Sequence, residues 1–105
     1  MLAFADVMRY ILVQMAEAYT QRITAADIKA GRIRVPAGTK ALFPQQPMNV
    51  DVRLRGERKS CTWNPRHGPD KARSGVLGIG KGLAKRVAEG DRLGVTVAGG
   101  VFYLD

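Results

Sequence analysis

The segment Trp63 to Gly75, WNPRHGPDKARSG, gathers the residue types of this 105-residue chain best suited to meet a charged ligand. It holds the only Trp and the only His, with Arg66, Lys71 and Arg73 set against one acid, Asp70. Two prolines and two glycines rule out a regular helix across it. An Arg presents a planar fork of donors to phosphate or carboxylate, and a Lys presents a point charge. Three readings fit such a stretch: a solvated loop, a catalytic loop, or an arm that grips a polyanion.

Catalysis finds little support elsewhere. Cys61 is the single cysteine, so an internal disulfide is excluded and a reducing compartment is expected. Cys61 sits in a strand-like run with no third group to orient a Cys–His pair. One Cys and one His cannot build a structural zinc site, which takes four ligands. Gly75 to Gly82, GVLGIGKG, nearly spells a phosphate-binding loop, but Gly82 stands where a Ser or Thr hydroxyl must hold magnesium. A dinucleotide fingerprint fails too, because Leu83 takes the place of the third glycine after Gly78 and Gly80. The carboxylates are scattered and form no evident pair. The expectation is a binding protein without catalysis, metal or cofactor.

Charge points to the partner. Residues 1–21 carry one base against two acids, whereas residues 22–105 carry sixteen against seven, so the whole surplus of +8 comes from the second part. A basic body of this kind suits a polyanion. Only three Phe and three Tyr accompany it, too few for an aromatic platform that stacks single-stranded bases. Asp6, Arg9 and Glu17 interrupt the apolar leader, which argues against a membrane span or a signal peptide. A soluble cytoplasmic protein, nucleoid-associated if bacterial, is expected.

The elements that must position these residues follow from periodicity. In residues 2–20, Phe4, Val7, Met8, Ile11, Leu12, Met15 and Tyr19 recur at spacings of three and four, which predicts an amphipathic helix. Such a helix either packs on its own domain or dimerises. RITAADIKAG reads as a strand end and one capped turn, with Thr24 as cap, Asp27 three residues on, and Gly31 as stop. RIRVP alternates like a half-buried strand that Pro36 ends. GTKALFP turns toward a buried Phe43. Val50, Val52 and Leu54 alternate with Asp51, Arg53 and Arg55, and Gly56 closes a hairpin with ERKSCTW. GVLGI is a further strand, GKGLAKRVAEGD a short helix stopped by Gly90, and RLGVTVAGGVFYLD a hairpin turning at Gly99-Gly100. The sum is a mainly β domain of six or seven short strands with two short helices, a barrel or sandwich.

Taken in order, ITAADIKAGRIRVP, LFP, a strand pair, WNP, RSGVL, a short helix, EGDRL and a last hairpin resemble the DNA-binding pseudobarrel superfamily. Its members include the plant auxin- and abscisic-acid-response type of DNA-binding domain and recognition or effector domains of bacterial restriction endonucleases. The resemblance covers residues 22–105, with residues 1–21 as a separate N-terminal helix. It implies a seven-stranded open pseudobarrel that presents two arms to the major groove of double-stranded DNA. One arm would comprise Lys29, Arg32 and Arg34. The other would comprise Trp63, Asn64, Arg66, His67, Asp70, Lys71, Arg73 and Ser74. Arg forks could then read guanine, Asn64 adenine, and Lys71 phosphate. Arg53, Arg55, Arg58 and Lys59 make a basic hairpin that could meet phosphate or solvent. PRHGPDK stands where plant members have a polar, serine-rich run, and the leading helix lies outside the family core. GRIRVP with GDRL also resembles swapped-hairpin antitoxin and transition-state regulators, which set the two motifs much closer together. The expected function is therefore sequence-specific, non-catalytic DNA binding, for transcriptional regulation or restriction. The alternatives are a swapped-hairpin DNA-binding dimer, or a protein-interaction subunit of a restriction system that forms a homodimer or engages a partner protein through residues 1–21.

Overall fold

Thr24 and Asp27 start the first described helix by capping each other. The Thr24 hydroxyl accepts the Asp27 N–H at 3.1 Å, and the Asp27 carboxylate accepts the Thr24 N–H at 3.0 Å. This reciprocal box satisfies two of the free N–H groups at a helix start. The helix, α1 (Ala25–Ala30), stops at Gly31, whose left-handed φ of 68° a residue with a Cβ rarely adopts. The computed structural model describes residues 18–66 and 73–105.

The chain continues through β1 (Arg32–Val35), α2 (Ala37–Lys40), β2 (Met48–Leu54), β3 (Glu57–Asn64), β4 (Gly75–Gly78), α3 (Gly80–Ala84), β5 (Val95–Ala98) and β6 (Val101–Leu104). Two-residue turns make both hairpins. Arg55-Gly56 joins β2 to β3 and Gly99-Gly100 joins β5 to β6, all four with positive φ, the geometry whose twist matches that of the strands. The six strands form one sheet in the order β1-β4-β3-β2-β6-β5, with β2 and β6 parallel and the other neighbours antiparallel.

The sheet curls into an open half-barrel around one apolar core. Val50, Val52 and Leu54 point inward as the alternation predicts, and Ile33, Val35, Cys61, Leu77 and Leu104 join them. Trp63 stacks on Phe43 (ring centroids 4.4 Å apart), and Phe43 stacks on Phe102 (4.3 Å). The Trp63 indole N–H donates to the Pro44 carbonyl at 2.8 Å, so the ring is buried with its polar atom satisfied. At roughly 25 cal/mol per Å² of apolar surface, one such ring is worth about 4–6 kcal/mol of burial.

Residues 18–23 bridge the edges of the half-barrel. The Gln21 N–H donates to the Arg34 carbonyl of β1, while the Thr20 and Ile23 N–H groups donate to the Leu93 and Asp91 carbonyls. Tyr19 forms an antiparallel bridge with Gly94, and the Val95 N–H at the start of β5 donates to the Ala18 carbonyl. The predicted helix over 2–20 lies mostly outside the described residues, but its end is extended, because Ala18 to Thr20 satisfy their backbone against another segment. Residues 18–21 thus belong to the barrel rather than to a separate leader. Among the described residues six strands stand where seven were expected for the whole domain, and three short helices where two were expected. The helix expected up to Gly90 ends at Ala84, and Gly90 instead takes φ 91° in the following turn. Among the described residues no helix is long and apolar enough to cross a membrane.

Candidate nucleic-acid interface

A buried carboxylate organises the first basic arm. The Asp27 side chain, in the first turn of α1, is only 2% exposed. Its Oδ1 accepts the Nε–H of Arg32 at 3.0 Å and the Nε–H of Arg34 at 3.1 Å. Both guanidinium groups are thereby held by one edge, while their side chains keep 41% and 31% exposure. The Arg34 Nη2 also reaches the Arg22 carbonyl at 3.5 Å. Two positive charges on one negative leave the cluster with net positive charge toward solvent. Burial pushes the Asp27 carboxyl up, but the Thr24 N–H and the Arg32 and Arg34 guanidiniums outweigh it, and the pKa lies below its ordinary value.

Register extends this arm across the outer face of the sheet. Arg34 pairs with Val76 and Val76 with Asn64, so one row reads Arg34, Val76, Asn64. The next row reads Arg32, Gly78, Thr62, Asn49. The inward partners in the same strands are Ile33, Leu77 and Trp63. This alternation is the reason a core strand presents polar groups on its other side. Trp63 is therefore a core residue rather than a DNA contact. Its 2% exposure leaves no ring face for a base, because its parity in β3 is that of Cys61 and opposite to that of Asn64.

The segment expected to form the second arm is described at its two ends. The Asn64 Oδ1 accepts the Arg66 N–H at 2.8 Å, which turns the chain as β3 ends, with Arg66 at φ 53°. Among the described residues, one Oδ1 lone pair and the amide N–H₂ of Asn64 have no further partner. His67, Asp70 and Lys71 lie outside the described residues. At the other end, the Lys40 ammonium donates to the Arg73 carbonyl at 2.8 Å, and the Gln21 amide donates to the Ser74 hydroxyl. Gln21 in turn donates its backbone N–H to Arg34. Ser74 is thus tied to the Arg34 end of β1, whereas Arg32 lies at the opposite end of that strand, opposite Gly78. Lys29 is exposed in the last turn of α1.

Two of the four hairpin bases meet acids, as does Arg86 in the segment after α3. Arg58 pairs with Asp51 at 3.2 Å, Arg55 with Asp91 at 3.1 Å, and Arg86 with Glu57. Accepting from the Ala88 N–H, with Arg55 beside it, holds the Asp91 carboxyl below its ordinary pKa. Burial pushes the Cys61 thiol up, which makes it less nucleophilic than a free cysteine. Sequence reasoning placed Asp27 as a helix cap only. Its second role as a guanidinium clamp was written in the bases five and seven residues later, but only the turn at Gly31 brings them back over it. Compared with known proteins, the chain matches no protein-family model and no curated protein.

Proposed function

We propose that this protein binds double-stranded DNA and reads its sequence through the major groove, without catalysis. The observation that carries this reading is the pair Arg32 and Arg34, clamped through their Nε atoms by buried Asp27 and set in rows with Asn64 and Thr62. A clamped side chain has already given up much of the freedom that binding would otherwise cost. Its outer N–H groups can fork onto guanine O6 and N7, and Asn64 can pair with adenine. The strip from β1 to β3 spans two inter-strand spacings, about 10 Å, within a major groove about 12 Å wide. Arg66 and Arg73 at the roots of the second arm, with Lys71 between them, would add phosphate contacts that set affinity and register.

Selection from a random duplex library, followed by anisotropy titration, tests the proposal. The enriched duplex should bind at least about tenfold tighter than a scrambled one. Arg34→Gln should weaken the enriched duplex about 5- to 100-fold and the scrambled one far less. A library that yields no motif, with equal weak binding to all duplexes, sinks sequence readout.

A further inference from the structure

The cleft between α1 and α3 collects lysines without acids. It has a volume of about 300 Å³ and is lined by Ile28 and Lys29 of α1 and by Lys81, Ala84 and Lys85 of α3 and its cap. Among the described residues no carboxylate pairs with any of the three lysines. Lys81 and Lys85 are four residues apart on one helical face, where like charges repel, and Lys29 adds a third. The other described acids are engaged elsewhere or line no part of this cleft. Such an arrangement is unfavourable alone and favourable around an anion.

The cleft is also built rigidly against the first arm. The Gly31 carbonyl accepts the N–H groups of Ile79 and Gly80 at 2.8 and 3.0 Å. A Cβ on Gly31 would stand 3.0 Å from the Gly80 carbonyl carbon, so the two turns meet backbone to backbone. That contact fixes α3 beside α1, and only Ala30 and Gly31 separate Lys29 from Arg32. Lys59 joins the same end, its ammonium donating to the Ile79 carbonyl at 3.1 Å. We infer that this lysine cleft is a phosphate seat, and that the phosphates it takes are those of the duplex backbone flanking the groove in which Arg32 and Arg34 lie. Ammonium groups bind phosphate oxygens as point charges, and the apolar floor of Ile28 and Ala84 supports the lysine stems. A single carboxylate would leave two of the three charges uncompensated, whereas successive backbone phosphates match them. The backbone as source rests on the DNA reading above; the seat itself rests on the cleft.

The test uses the full chain and a triple variant, Lys29→Gln, Lys81→Gln, Lys85→Gln, in duplex titrations between 50 and 200 mM salt (about a fourfold range over which phosphate contacts are resolved). All three side chains are exposed, so a thermal melt should show the variant folded. The slope of log affinity against log salt should fall by about 2–3, with the ratio between enriched and scrambled duplex unchanged. A slope equal to that of the wild type overturns the inference. If the wild type binds no duplex, the DNA reading fails, and calorimetry with tripolyphosphate then decides the seat. Binding by the wild type that is lost in the variant keeps the phosphate seat with a free anion as its ligand, and no binding by the wild type overturns it.

Discussion

Arg34 and Asn64 stand in one row of the outer face, each in register with the same residue, Val76 of β4. They are 30 positions apart in the chain yet two strands apart in the sheet. If both read one base step, their effects on binding should be coupled. A double-mutant cycle with Arg34→Ala and Asn64→Ala should give a coupling of about 0.5–3 kcal/mol on the enriched duplex and none on a scrambled one. Strict additivity on both would show that the two residues act on separate parts of the duplex or on none.

Asp27→Asn should unfold more easily by about 1–3 kcal/mol, since both guanidiniums lose a charged acceptor. The native Asp27 pKa is lowered, so between that value and the unfolded one the unfolded chain binds more protons than the native. Its stabilisation is therefore full above about pH 4, the unfolded carboxyl value, and is lost as pH falls through the native one. Urea melts between pH 6 and 2 should show a shallower acid limb for Asp27→Asn than for the wild type. Parallel limbs would mean that Asp27 does not drive the acid transition.

The variant should also bind duplex with lower preference between sequences, because freed Arg32 and Arg34 keep their charge but lose their shared orientation. Anisotropy on enriched and scrambled duplexes reads this as a fall in their ratio at little change in salt slope. An unchanged ratio would make the clamp a stability device alone.

Two glycines make a paired test of the α1–α3 junction. Gly31→Ala places a Cβ at positive φ and 3.0 Å from the Gly80 backbone, and should cost at least about 1 kcal/mol. Gly82→Ala meets nothing within 4 Å in α3 and should stabilise by about 0.5–1 kcal/mol. Chemical denaturation midpoints of both variants check the pair, and equal effects would contradict the geometry.

Trp63 is the sole tryptophan, so its fluorescence reports on the core. Native emission should be blue-shifted and resistant to acrylamide, and the duplex should leave that resistance unchanged. Ready quenching in the folded protein would place the ring at the surface. Gly75→Ala should perturb the same signal, because its Cβ would lie 2.3 Å from the indole ring.

Much of the barrel is legible in local patterns. The Thr24–Asp27 box, the alternation from Val50 to Leu54, and the turns at Arg55-Gly56 and Gly99-Gly100 each rest on contacts within a few residues. The helix pattern fails at Ala18 to Thr20, where Leu93 and Gly94 supply partners about 75 residues away and the extended form wins. Trp63 shows the same limit. The sequence places it beside Asn64 and Arg66 in a basic stretch, while strand parity turns its ring inward and the Asn64 side chain outward. Asp27 is legible as a cap, because a cap is local, but not as a clamp.

From its residues alone the chain determines short strands, capped turns and a positive surplus confined to residues 22–105, because propensity, turn chemistry and charge need no distant partner. Only the tertiary structure decides which of those charges remain available. Asp51, Glu57 and Asp91 neutralise Arg58, Arg86 and Arg55, while Asp27 aims two arginines and the α1–α3 cleft leaves its three lysines without an acid among the described residues. Pairing over such separations depends on the curl and register of the sheet, which many weak contacts set together.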